Sequence, residues 1–361
     1  MTENNKKIGR TEFKTRVLKE AEEQKILRQV SIEILDYCNY NCGYCYVHGS
    51  NNSSINLHQF KNIINQLADV GTLWVTLSGG KPLLHPDFIS MYSYAIEKIP
   101  YVTLFTNASL ISDKIINLFK EKPPYEIEIS LYGIDDTSYD SFVKKTGQFE
   151  LFQSNLDKLD KNGISYSLKT TITRQNVGLL PLFIQYANKR GVNYRYDSVV
   201  LPKIFDSSTK INSEYRLPSK DAVDALLSRK GMLKKAIDIY NGRSSTDNRL
   251  YRCDAGINSV AIDSKLKMSY CVAVREPYYS LNEDGKGIEA GHQWLMEMRN
   301  QSLDRSDKCF NCDKKALCRY CPGRFYLETG SEHIPPEWNC LYGQYLYKRI
   351  MMSKENNRGN L

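Results

Sequence analysis

The sequence predicts an α/β protein: a partial (β/α)6 TIM-like barrel followed by a small cysteine-rich α+β domain. Three observations carry this reading. Six β-like runs alternate with amphipathic stretches between residues 30 and 199. The ten cysteines fall into two clusters, one from Cys38 to Cys45 and one from Cys253 onward. Past Cys253, short strand pairs replace the alternation. Strand–helix repeats in order imply a parallel sheet with right-handed crossovers. Six repeats are too few to close an eight-stranded barrel, so the sheet stays open and its ligands gather at the carboxyl ends of the strands.

Residues 1–29 form a charged helical segment in which Lys14, Val17, Leu18 and Ala21 recur at helical spacing. The barrel unit spans 30–205. VSIEIL (30–35) is its first strand, Leu57, Phe60, Ile63, Ile64 and Leu67 mark a helix, and TLWVTL (72–77) is the second strand. Further strands are expected at 101–105, 125–130, 164–171 and 193–199. Residues 206–252 are polar and irregular around one helical stretch near 220–240, a bridge between domains. A cysteine-rich domain follows over 253–345, with strands at 259–263 and 267–272, and 346–361 form a tail.

Length and composition set the limits. The 361 residues suit one large domain plus a smaller one. With 41% hydrophobic and 25% charged residues, the composition is that of a chain able to form a core and not of a disordered one. No apolar run reaches the roughly 18–20 residues of a membrane span. The polar start, Met1 to Lys7, carries no signal-peptide core, so a cytoplasmic protein is expected. The 49 Lys and Arg exceed the 41 Asp and Glu by eight, a surplus spread along the chain that reads as a solvated surface and not as a nucleic-acid footprint.

Without a secretion signal, clustered cysteines read as metal ligands and not as disulfides. Cys38, Cys42 and Cys45 form C-x3-C-x2-C on the loop after the first strand. Three thiolates underfill both tetrahedral zinc and a four-iron cluster, so a metal here keeps one position open for a ligand. Zinc is the plainer alternative from spacing alone.

These residues resemble the radical S-adenosylmethionine (SAM) enzymes, whose C-x3-C-x2-C loop, with an aromatic before its last cysteine (here Tyr44), holds a [4Fe-4S] cluster. The resemblance covers most of residues 30–200. Ser78, Gly79, Gly80, Lys81 and Pro82 match the family's Gly-Gly-Glu-Pro segment, which binds the methionine amino group. Thr106 and Asn107 match the next strand end. Ser130 matches a serine near the SAM carboxylate or ribose, and Lys169, on the fifth strand, is expected to project toward the cavity as a cofactor-binding candidate. The two glycines let backbone carbonyls approach an ammonium group closely. Lys81 stands where the family has Glu. A cation facing the site would repel the SAM ammonium by about a kcal/mol or more. Either Lys81 turns outward, or it faces the site and SAM binds weakly, unless the lysine is itself an engineered change.

The later cysteines resemble the SPASM domain, which carries two auxiliary [4Fe-4S] clusters. By position, that resemblance assigns Cys253, Cys271 and Cys321 to the first and Cys309, Cys312, Cys318 and Cys340 to the second. Three departures stand out. Only Arg319 and Tyr320 separate Cys318 from Cys321, Leu266 replaces a usual glycine, and Ser259 occupies the place of a possible fourth ligand. A pair of zinc sites is the alternative here.

The resemblance implies a 5′-deoxyadenosyl radical that abstracts hydrogen from a substrate, in an oxidative modification or cross-link of a ribosomally made peptide. A small-molecule substrate, such as a sugar or amino-acid intermediate, is the second reading, and a non-catalytic metal-binding scaffold the third. Asp197, at the end of the sixth strand, is the one catalytic candidate, with Arg195 and Lys169 as charged neighbours that would bind ligand or form a surface salt bridge. Val272 stands where sulfatase-maturing relatives carry an aspartate base, which argues against that activity. His48 and His85 lie near the motif loops as polar residues. A flavodoxin- or ferredoxin-type reductant is the implied partner. Residues 1–28 are too short for a leader-binding domain, so leader recognition would fall to a separate peptide-binding protein or to the C-terminal surface.

Overall fold

The computed structural model describes residues 9–47, 52–203, 214–242, 248–282 and 286–358. Helix α1 (Arg10–Gln24) leads into β1 (Gln29–Leu35), α2 (Leu57–Asp69), β2 (Trp74–Gly79), α3 (Phe88–Lys98) and β3 (Tyr101–Thr106). The alternation continues through α4 (Asp113–Glu121), β4 (Glu126–Ser130), α5 (Asp136–Val143), α6 (Gln148–Lys161), β5 (Ser167–Thr171), α7 (Leu180–Arg190) and β6 (Asn193–Asp197). Helices α8 (Ser219–Leu227) and α9 (Met232–Asn241) precede β7 (Ser259–Ile262), β8 (Lys267–Cys271) and β9 (Val274–Ser280). The described chain closes with α10 (Gly287–Met298), α11 (Pro322–Thr329) and α12 (Glu337–Arg358).

Strands β1 to β6 pair in sequence order, all parallel. The sheet does not end at β1. Strand β7 pairs parallel to its other edge, Gln29 opposite Ser259 through Ile32 opposite Ile262, and β8 and β9 continue antiparallel. The order is β6-β5-β4-β3-β2-β1-β7-β8-β9, so the C-terminal strand pair extends the parallel sheet instead of forming a sheet of its own.

A sheet covered on both faces reads as continuous apolar runs, yet these strands alternate. Val30, Ile32 and Ile34, then Val75 and Leu77, Ile127 and Ile129, and Leu168 are fully buried. Helices α2, α4, α6 and α7 supply matching apolar faces, among them Phe60, Ile64, Phe119, Phe152 and Phe183. The intervening residues Ser31, Thr76, Glu128, Lys169 and Asp197 line a cavity on the other face. That face is a cleft, which is why polar residues alternate along β4 to β6.

Helix α1 closes the opposite end. The Phe13 ring lies 6.3 Å from Trp74 and 6.4 Å from Tyr101, the residues that open β2 and β3. Asn258 donates to the Leu18 carbonyl at 2.8 Å. The helical stretch expected near 220–240 is two helices, because Gly231 takes φ +83 before α9. Helix α12 runs across residue 346, so the expected tail is largely helical.

Candidate active site

The loop after β1 is held from several sides. Asp36 accepts from the Ser53 amide and hydroxyl, both at 2.8 Å, and the Ser53 and Ser264 hydroxyls meet at 2.6 Å. Asn39, between Cys38 and Cys42, donates to the Ser109 hydroxyl at 2.9 Å and accepts from Asn107 at 3.2 Å. The Asn41 amide donates to the Val143 carbonyl at 3.1 Å. Any side chain at position 43 would run into the Tyr215 hydroxyl, so Gly43 lets that ring close over the loop. Cys38 is exposed, Cys42 buried and Cys45 half-buried, and all three face one cavity of about 620 Å³.

The carboxyl ends of five strands complete that cavity: Ser78 and Gly79 from β2, Thr106 from β3, Ser130 from β4, Thr171 from β5 and Asp197 from β6. The two glycines have a use that spacing alone did not reveal. A Cβ at Gly79, where φ is +119, would meet the Leu35 carbonyl, and one at Gly80 the Tyr37 carbonyl. They let the end of β2 close against β1, where the register shifts between Glu33 and Leu35.

Lys81 faces this cavity and is buried, so the outward orientation is not adopted. Burial lowers its pKa to about 8, against the raising effect of Cys38, Cys42 and Cys45. Burial and the two neighbouring thiols push the Cys42 thiol well up. Tyr44 lines the wall, its ring 5.2 Å from Phe142, which in turn stacks on Tyr132 at 5.5 Å.

Two expected cofactor-side residues make contacts that the sequence did not reveal. Asn107 is fully buried, does not line the cavity, and accepts from the Ser109 amide and hydroxyl while donating to Asn39: it supports the loop. Lys169 lines the cavity but lies 3.5 Å from the buried Glu128, which Arg195 also grips. Glu128 is buried, Lys169 half-buried and Arg195 exposed, so the ion cluster runs from the cavity wall to the surface. His85 is buried between the Ile55 carbonyl at 2.9 Å and the Asp87 amide at 3.1 Å, a structural polar residue as expected. Asp197 lines the cavity and accepts from the Val199 amide at 2.9 Å. His48 lies outside the described residues. Glu128, Thr171, Tyr132 and Val272 also line the cavity; the alternation of EIEIS and SLKTT was the available signal for Glu128 and Thr171.

The remaining seven thiols gather in two groups. Cys253 and Cys321 act on Cys271, whose pKa burial raises to about 11. Cys309, Cys312 and Cys340 act on Cys318, raised by burial to about 12. Each thiol group has a cation beside it: Lys81 at the loop, Arg324 near Cys321, and Arg252 near Cys309. The Nε and Nη2 atoms of Arg252 and Arg324 are buried without a hydrogen-bond partner among the described residues. Among the described residues, no three His, Cys, Asp or Glu side chains converge closely enough to hold a single metal ion. Leu266, standing in for a glycine, takes φ +62 in the β7–β8 turn, and Arg319 takes φ +55 in the shortened gap between Cys318 and Cys321.

The family model for the Radical SAM superfamily matches residues 32–175. The chain is 23% identical over 340 residues to an AdoMet-dependent heme synthase of Methanosarcina barkeri, covering 87% of this chain and 96% of that protein. It is 26% identical over 150 residues to the subtilosin biosynthesis protein AlbA of Bacillus subtilis, spanning 41% of this chain and 34% of AlbA. Among solved structures, Streptococcus suis SuiB bound to S-adenosylmethionine superposes with a TM-score of 0.68 at 14% identity, over 92% of this chain and 83% of that one. At that identity the likeness shows a shared fold. No helix among the described residues is long and apolar enough to cross a membrane.

Proposed function

Because the chain carries a radical SAM domain, we propose that it is a radical SAM enzyme that oxidatively modifies or cross-links a ribosomally synthesised peptide. The observation that carries the reading is the convergence of three thiols on one loop with polar strand ends from β2 to β6 around a single cavity. In this reading Cys38, Cys42 and Cys45 hold a [4Fe-4S] cluster with SAM beside it. Cys253, Cys271 and Cys321 hold a first auxiliary cluster, and Cys309, Cys312, Cys318 and Cys340 a second.

The donor chemistry supports that assignment. Thiolates are the usual ligands of iron–sulfur clusters, which are anionic overall when so ligated. Each thiol group has a cation nearby, and the unpartnered N–H groups of Arg252 and Arg324 suit an anion.

When bound, the loop cluster and SAM supply reductive cleavage of the S–C5′ bond and a 5′-deoxyadenosyl radical that takes a hydrogen atom from the substrate. This chain's residues place and enclose the reactants. The backbone at Gly79 and Gly80 receives the methionine ammonium, and the Ser78, Thr106 and Ser130 hydroxyls meet the polar groups of the ligand. The Tyr44, Phe142 and Tyr132 rings wall off water, which a radical site must exclude. Val272 offers no proton acceptor, and Asp197 is the proposed one on the β6 side. A flavodoxin- or ferredoxin-type protein supplies the electron.

The experiment is anaerobic reconstitution, reduction with dithionite, and mass spectrometry with SAM and a synthetic candidate precursor peptide. Release of 5′-deoxyadenosine with loss of hydrogen from the peptide is expected; no 5′-deoxyadenosine would overturn the reading. A small-molecule substrate is favoured by the near full-length similarity to a heme synthase. Turnover of an iron porphyrin, with the peptide untouched, would establish that reading instead.

A further inference from the structure

Lys81 has its direction fixed by the chain on either side. Gly80 donates its amide to the Leu35 carbonyl at 2.9 Å, and its bare Cα rests against the Tyr37 carbonyl. Pro82 follows, and the residue before a proline is confined to extended backbone; Lys81 has φ −144 and ψ 99. Its carbonyl accepts from the Leu84 amide at 2.9 Å. Pinned in this way, the side chain enters the cavity, where Lys81 is only 4% exposed, alongside Cys38, Cys42 and Cys45.

A buried ammonium requires a counter-charge. Among the described residues no carboxylate pairs with Lys81. The acids lining the cavity are engaged elsewhere: Asp36 with Ser53, Glu128 with Lys169 and Arg195, and Asp197 with the Val199 amide. The groups whose charge acts on Lys81 are the Cys38, Cys42 and Cys45 thiols, which become thiolates when they ligate a metal centre.

We propose that Lys81 is the built-in counter-charge of the cluster held by Cys38, Cys42 and Cys45 and raises its reduction potential. The inference rests on the function proposed above. Accepting one electron from the external reductant makes a thiolate-bound cluster more negative by one unit. A fixed cation beside it favours the reduced form, because net charge and burial are what set such potentials. Lys81 is thus a positioning residue for charge and takes no part in bond making.

The test is redox titration followed by electron paramagnetic resonance on the fully reconstituted chain. The loop cluster's signal is the one absent from the C38A/C42A/C45A variant. In Lys81→Met its midpoint falls until the reduced-to-oxidised ratio at fixed potential is at least tenfold lower, about 59 mV for one electron. Lys81→Glu moves it further, Lys81→Arg leaves it near the wild-type value, and the other signals stay in place. An unmoved or raised midpoint in Lys81→Met overturns the inference, as does an equal shift of every signal. If Lys81→Met and Lys81→Glu both lose the loop cluster while Lys81→Arg keeps it, the charge is needed and the inference holds; loss in Lys81→Arg as well overturns it. A wild-type protein with no such signal overturns the proposed function itself.

Discussion

Arg275, on the ninth strand, grips Glu33, on the first, through two N–H···O bonds of 2.7 and 2.9 Å. The two residues lie 242 positions apart in the chain. The same carboxylate accepts from the Tyr46 hydroxyl at 3.0 Å, one residue past Cys45, while Arg275 lies four past Cys271. The pair therefore joins the thiol loop, the first strand and the C-terminal strands in one network.

That network predicts a large cost for breaking one side of it. Glu33 is buried and Arg275 only 12% exposed, so Arg275→Met leaves the Glu33 carboxyl without its guanidinium partner. The expected loss is about 3–5 kcal/mol, read as the shift in denaturant midpoint. A change within about 0.5 kcal/mol would mean that water already reaches the pair.

Replacing Cys38, Cys42 and Cys45 together with alanine should abolish SAM cleavage and leave the absorbance of the C-terminal clusters. With three four-iron clusters the intact chain holds about twelve irons, and this variant should keep about two-thirds of them by iron and sulfide analysis. Full iron content, or unchanged cleavage, would contradict the ligand assignment.

Gly80→Ala tests the close approach of β2 to the loop. Its Cβ would sit on the Tyr37 backbone, which has no flexible side chain to swing away. We expect destabilisation of about 2 kcal/mol or more, with a melting temperature several degrees lower. Gly163→Ala is a control without the clash, because nothing lies within 4 Å of that position, although its φ of +66 carries a strain of its own.

His292 gives a pH dependence. Burial lowers its pKa, and its Nε2 lies 2.5 Å from the Ile257 carbonyl, so the neutral Nε2–H tautomer donates that bond. The unfolded chain then takes up a proton near the ordinary value of about 6.5 before the folded one does. His292 thus holds its contribution to stability above that pH and loses it as pH falls toward the depressed folded value. Thermal melts between pH 7.5 and 5.5 should show a steeper decline for the wild type than for His292→Gln; equal slopes would exclude the effect.

The order of the six parallel strands was legible because each run signals its own start. The expected 101–105 and 193–199 became Tyr101–Thr106 and Asn193–Asp197. The polar alternation of EIEIS and NYRYD was visible too, but its meaning was not. Which face of a strand meets helices and which meets a cleft depends on what covers it, and periodicity reports only that two faces differ. The supporting role of Asn107 was hidden for a related reason: a strand-end polar residue reads alike whether it faces a ligand or holds a neighbouring loop.

By itself the sequence determined the local chemistry: three thiols on a loop after the first strand, seven more near the C-terminus, and repeats that build a parallel sheet. Those properties follow from spacing and residue type, which are written in contiguous stretches of chain. Only the tertiary structure decided that β7 joins the free edge of β1, that Arg275 reaches Glu33, and that Lys81 enters the cavity. Each depends on backbone pairing, burial and steric fit between segments far apart in sequence, and those are fixed only when the whole chain packs.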